Sequence, residues 1–153
     1  MKQEDFNTIQ TFLTKGGAIK MLANADQQDL DIVYHYAQQL MAGHDFEGAK
    51  RILYFLTYLD HWSYDYQFNL GLCHQHTQAH LEALVCFSQA GKVKMTQPYP
   101  AYHAALSYLA LDNHDGAQKA FHAALIWCHD HVQYATLKQT INEHLKGLHK
   151  EAL

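Results

Sequence analysis

Ala49, Ala83 and Ala117 recur 34 residues apart, and no other feature of the chain constrains its fold so tightly. Four residues after each stands a large apolar side chain, Leu53, Phe87 or Phe121, and three further on come Leu56, Ala90 and Ala124. The register also holds before each alanine, where Tyr36-Ala37, Leu70-Gly71 and Ala104-Ala105 share one offset. Agreement at several positions, at one period and without a gap, marks an internal repeat. Each unit of such a repeat cannot bury its apolar face alone, so neighbours must stack.

The period is that of tetratricopeptide helix pairs, and the small residues have a mechanical role in it. Two antiparallel helices approach closely only where one presents Ala or Gly at the crossing. Ala37, Gly71 and Ala105 serve the first helix of each pair, and Ala49, Ala83 and Ala117 the second. The bulky residue one turn on fills the space between neighbouring pairs. The expected fold is all-α: three tandem tetratricopeptide helix pairs with flanking N- and C-terminal helices. The repeats fall at about 30–63, 64–97 and 98–131, within a single domain spanning 1–153.

Local signals agree with this division. Leu30, Val33, Ala37 and Leu40 lie on one helical stripe, and Gly43 is placed to close that helix as a left-handed cap. Ser63 can cap the next helix. Pro100 stands where a first-turn proline is tolerated, and Asp112-Asn113-His114-Asp115-Gly116 reads as a turn. Residues 132–149 carry Leu137, Ile141, Leu145 and Leu148 on one face, as a solubilising cap requires. A helix over 4–22 precedes the array and ends at Gly16-Gly17. Its apolar residues Phe6, Ile9, Phe12 and Leu13 leave two readings open: a second cap, or an arm through which two copies pair.

Composition removes several functions. The net charge of -4, with 11 dispersed Lys and Arg residues, offers no clustered basic face for nucleic acid. Cys73, Cys86 and Cys128 are odd in number, far apart and set in apolar runs, which reads as reduced, buried thiols of a cytosolic protein. No apolar run approaches the ~18 residues of a membrane span, so stable membrane insertion is not expected.

Chemistry is equally scarce. His74, His76 and His80 point apart on a helix, zinc-site spacings are absent, and neither a phosphate-cradling glycine loop nor a nucleophile elbow occurs. The histidines read as solvated or capping. No catalytic residue, metal or cofactor is expected.

Binding is what the array can do. In such an array the first helices line the concave surface. Tyr34, Phe68 and Tyr102 stand at one offset, 34 apart, followed four later by Gln38, Leu72 and Leu106, and then by Met41, Gln75 and Leu109. Singly, an aromatic on a helix is most often core. Taken together these residues form a second apolar stripe beside the packing stripe, and a helix with two apolar faces needs a second surface to cover. The expected peptide-binding groove is therefore Tyr34, Gln38, Met41, Phe68, Leu72, Tyr102, Leu106 and Leu109. Arrays that hold a C-terminal carboxylate carry Lys, Arg and Asn at such places, so a carboxylate clamp is not expected.

Three repeats, an N-terminal helix ending in Gly-Gly and a short C-terminal cap resemble the class II chaperones of bacterial type III secretion. The stretches that carry this are Phe12-Leu13-Thr14-Lys15-Gly16-Gly17, Leu56-Thr57-Tyr58-Leu59-Asp60-His61-Trp62 and Leu70-Gly71-Leu72-Cys73. Ser63-Tyr64-Asp65-Tyr66 and Ala124-Leu125-Ile126-Trp127-Cys128 look most like the translocator chaperones of attaching-and-effacing systems. The resemblance implies a non-enzymatic chaperone in the cytoplasm of a Gram-negative bacterium. Its partners would be hydrophobic translocators, each bound through an extended N-terminal segment of Pro-x-Leu-x-x-Pro type. It also implies dimerisation through the N-terminal helix and groove aromatics at Tyr34, Phe68 and Tyr102. Relatives often carry more tyrosines on the first groove helix, where this chain has Gln38 and Met41. A scaffold that bridges folded partners through a convex, charged face is the alternative.

Overall fold

The computed structural model describes residues 26–151, all in helices and the short turns between them. The expected helix over 4–22, with Phe6, Ile9, Phe12 and Leu13, lies outside the described residues. The chain divides into two compact units, Met1–His61 and Trp62–Leu153.

In the first unit, α1 (Gln27–Ala42) and α2 (Phe46–Leu59) form one helix pair. Asp26 caps α1 by accepting from the Asp29 N–H at 3.0 Å, and Asp45 caps α2 by accepting from the Gly48 N–H at 2.9 Å. Val33, Tyr36 and Ala37 are buried on α1, and Ala49, Ile52, Leu53 and Leu56 on α2. Leu30 and Leu40, on the edges of the expected stripe, are half-buried.

The second unit holds α3 (Tyr64–His76), α4 (His80–Val93), α5 (Pro98–Ala110) and α6 (His114–Cys128). A 3-10 turn (Val132–Tyr134) then leads into α7 (Ala135–Glu151). Ser63 caps α3, its Oγ accepting from the Tyr66 N–H at 3.3 Å. Pro98 takes the first position of α5 and Pro100 stays within the first turn, both buried. The small residues sit at the crossings: Ala83, Ala105 and Ala117 are fully buried, and Phe87 and Phe121 fill the spaces beside them. At Gly71 a Cβ would come within 2.6 Å of the Phe87 ring, so only glycine allows α3 this close to α4. Along α7, Ile141 and Leu145 bury against Phe121, Ala124 and Cys128, with Leu137 and Leu148 at the margin. This is the apolar face that the C-terminal stripe was expected to cover. The main contacts run between chain neighbours, α3 with α4, α4 with α5, α5 with α6 and α6 with α7.

Cys73, Cys86 and Cys128 are buried and unbridged. Burial, reinforced by Glu82, pushes the Cys86 thiol up to about 11, so it is protonated and unreactive. Among the described residues no helix is long and apolar enough to cross a membrane.

The turns differ from expectation in their residues and, before α6, in their extent. Gly43 is not left-handed, with φ at -83°; the left-handed residue is His44, at φ 62°. Gln78 (φ 63°) and Asp112 (φ 55°) occupy the same place 34 and 68 residues on. Each closes its helix with the same pair of bonds. One runs from the next residue's N–H to the carbonyl five back: Asp45 to Leu40, Ala79 to His74, Asn113 to Tyr108. The other runs from the left-handed residue to the carbonyl three back: His44 to Met41, Gln78 to Gln75, Asp112 to Leu109. These are Schellman closures without glycine, imposed by hydrogen bonding and by the immediate start of the next helix. His114, Asp115 and Gly116, expected in a turn, instead open α6, because Asn113 accepts from the Gly116 N–H at 2.8 Å and starts the helix.

Candidate peptide-binding surface

In the first unit, Tyr34 and Met41 are half-buried on α1 and Gln38 is exposed. In the second unit, Phe68 and Leu72 on α3 and Tyr102, Leu106 and Leu109 on α5 are all half-buried.

The second unit brings Phe68 and Tyr102 together through a residue the sequence did not single out, His103. Its ring meets Phe68 edge-on at 5.5 Å and Tyr102 edge-on at 5.1 Å, and lies tilted over Phe87 at 5.6 Å. Beyond Phe68, Tyr64 stacks at 5.6 Å with an interplanar angle of 6°. Lys94 Nζ sits 4.6 Å from the Tyr64 ring centroid. Burial pushes the Tyr64 hydroxyl up to about 12, helped by Asp65, so it remains a neutral donor. At the other end, Tyr102 approaches Phe121 at 6.2 Å and His144 of α7 at 6.5 Å, and His144 stacks on Phe121 at 5.0 Å. A row of rings thus runs from Tyr64 through Phe68, His103 and Tyr102 to His144.

A polar bridge ties the two first helices at His103. Gln75 Nε2 donates to the His103 carbonyl at 2.9 Å and to Ser107 Oγ at 2.8 Å, while its Oε1 lies 3.0 Å from His103 Nδ1. Burial, with a smaller contribution from His76, lowers the His103 pKa to about 4, so the ring is neutral near pH 7. A signal for this was present. Helix α5 is otherwise almost wholly apolar or aromatic, and His103 and Ser107 are its two polar side chains, four apart and so on one face.

Two hollows flank these helices. One, of about 330 Å³, lies beside Leu109 and is walled by Thr140, Glu143, His144, Gly147 and Leu148. The other, of about 230 Å³, is lined by Leu84, Met95, Pro100, Tyr108 and Trp127 among others. The outward faces of α4 and α6 expose Leu81, Val85 and Ile126 by about two-thirds, at 66%, 69% and 67%, next to Glu82, Lys92 and Lys119. The second helices therefore present a mixed surface, not the charged face expected.

The fold is that of the class II translocator chaperones of type III secretion, as the sequence stretches implied. PcrH in complex with the chaperone-binding region of PopD superposes with a TM-score of 0.81 at 22% identity, covering 85% of this chain and 98% of that one. SycD of Yersinia enterocolitica, in complex with a peptide of the translocator YopD, gives 0.81 at 19% identity, covering 84% and 98%. By sequence the chain is 23% identical over 154 residues to the low calcium response locus protein H of Yersinia pestis, spanning 97% of this chain and 92% of that protein. No family model matches the chain.

Proposed function

We propose that this protein is a chaperone that holds an extended segment of hydrophobic type III translocators on its concave helices and keeps them soluble before secretion. The carrying observation is the row of half-buried rings on α3 and α5, Phe68 and Tyr102 above all, in a fold whose relatives PcrH and SycD are seen with translocator segments bound. Leu72, Leu106 and Leu109 extend the surface of the second unit, and Tyr34, Gln38 and Met41 are the corresponding candidates on α1 of the first. Binding, not catalysis, is the activity, and the cytoplasm of a Gram-negative bacterium is its place. Phe6, Ile9, Phe12 and Leu13 serve to pair two copies.

The energetics set what a client must offer. Ordering each ligand residue costs about 1–2 kcal/mol, and a fully buried Leu or Val returns roughly 1.5–3 kcal/mol. Two or three apolar anchors are needed, and proline between them lowers the entropy cost by extending the peptide beforehand.

Capture from native cytosol tests the reading, comparing wild type with Tyr34→Glu/Phe68→Glu/Tyr102→Glu after circular dichroism confirms its helicity. Wild type retains a hydrophobic secreted protein and the folded variant does not. Equal capture by both would overturn the groove. The exposed Leu81, Val85 and Ile126 favour the second reading, a scaffold working through its outer helices. In that case Leu81→Glu/Val85→Glu loses partners that the groove variant keeps.

A further inference from the structure

We propose that His103 reads the backbone of the bound segment: its Nε2 accepts an N–H from the peptide residue lying between Phe68 and Tyr102, which therefore cannot be proline. This rests on the groove reading above and goes beyond it by assigning a polar anchor and a sequence rule.

The orientation of the Gln75 amide decides the matter. Its nitrogen lies 2.9 Å from the His103 carbonyl oxygen, an atom that only accepts, so the nitrogen must be there as donor. The amide oxygen then faces His103 Nδ1 at 3.0 Å and can only accept from it, so Nδ1 carries the proton. With the ring neutral, Nε2 holds a lone pair and no proton. The imidazole is thus locked in one tautomer by a neighbour that is itself held at two points, the His103 carbonyl and Ser107.

The position suits an acceptor. His103 stands at the bridge between α3 and α5, half-buried, its ring edge-on to both Phe68 at 5.5 Å and Tyr102 at 5.1 Å. An extended peptide laid over such rings loses water from its own N–H groups, and each must find a partner or carry a desolvation cost. Leu72, Leu106 and Phe68 offer none. In an extended strand, N–H groups on one side recur every second residue, so a single fixed acceptor selects one register. Proline at that register lacks the donor.

The probe is a fluorescein-labelled synthetic peptide of Pro-x-Leu-x-x-Pro pattern, together with a series in which each backbone amide in turn is replaced by an ester. One ester weakens binding to the wild type about tenfold and the others do not, as loss of one buried hydrogen bond requires. His103→Phe and His103→Asn weaken the parent peptide by a similar factor and are indifferent to that ester. His103→Gln, whose side-chain oxygen reaches the Nε2 position, restores binding and the sensitivity. A flat ester series on wild type, which needs no variant to fold, would overturn the inference while leaving the groove standing. Unchanged binding by folded His103→Phe would do the same. Failure of every peptide to bind wild type would overturn the groove reading and this inference with it.

Discussion

Two single residues set how closely α3 can lie to its neighbours. Gly71 is where the Phe87 ring presses on the α3 backbone, and that ring is fully buried and cannot swing aside. Gly71→Ala should therefore destabilise the protein by about 1–3 kcal/mol through overpacking, in spite of alanine's better helix propensity. Urea unfolding measures it, and a stabilised variant would contradict the close approach. His103 holds α3 to α5, and its low pKa gives the contact a pH signature. A histidine lowered to about 4 in the folded state, against ~6.5 unfolded, makes the unfolded chain the tighter proton binder below pH ~6.5. The stabilisation it contributes is complete above that pH and is lost as pH falls through 4, on the order of 3 kcal/mol in all. Melting temperatures from pH 7 to 4.5 should fall less steeply for His103→Phe than for wild type. The close crossing at Gly71 was legible in the repeat spacing, whereas His103 was marked only as one of two polar side chains on α5, and its burial shows only once α3 and α5 lie side by side.

The repeat turns show how an element can be placed correctly for the wrong local reason. Gly43 was read as the left-handed residue that closes α1, and α1 does end at Ala42, yet the left-handed residue is His44. The closure is set by which carbonyl the following residue's N–H must reach, and that is a matter of helix-to-helix geometry, not of residue type. Side chains at His44, Gln78 and Asp112 sit in a conformation that disfavours them by roughly 1–2 kcal/mol. Gln78→Gly should recover about 0.5–1 kcal/mol after glycine's own entropy loss, raising the melting temperature by a few degrees. The helix starts that follow invite a companion change. Asp45 and Asn113 cap α2 and α6, but Ala79, with φ -87° and ψ 66° close to the -85° and 71° of Asp45, has no side chain to cap α4. Ala79→Asp should stabilise by about 1 kcal/mol, read by thermal unfolding; no gain would mean that the Glu82 N–H is already satisfied.

At the scale of the molecule the fold was the most legible part, since period, small-residue crossings and the closing stripe on α7 all speak through spacing. The closing helix carries a measurable share: Ile141 is fully buried against the Phe121 cluster, and Ile141→Ala should cost about 2–5 kcal/mol by chemical denaturation. The polar bridge was harder to read than the fold, because its partners, Gln75 and His103, come from separate repeats and only the two polar side chains of α5 hinted at it. Because each helix of the second unit touches mainly its neighbours in the chain, its cohesion is arranged in series. Deuterium should enter the amides of α7, supported on one side, well before those of α4 and α5, supported on both. Such a unit can relax at one end while the other stays shut, so that a client could be surrendered residue by residue and not all at once.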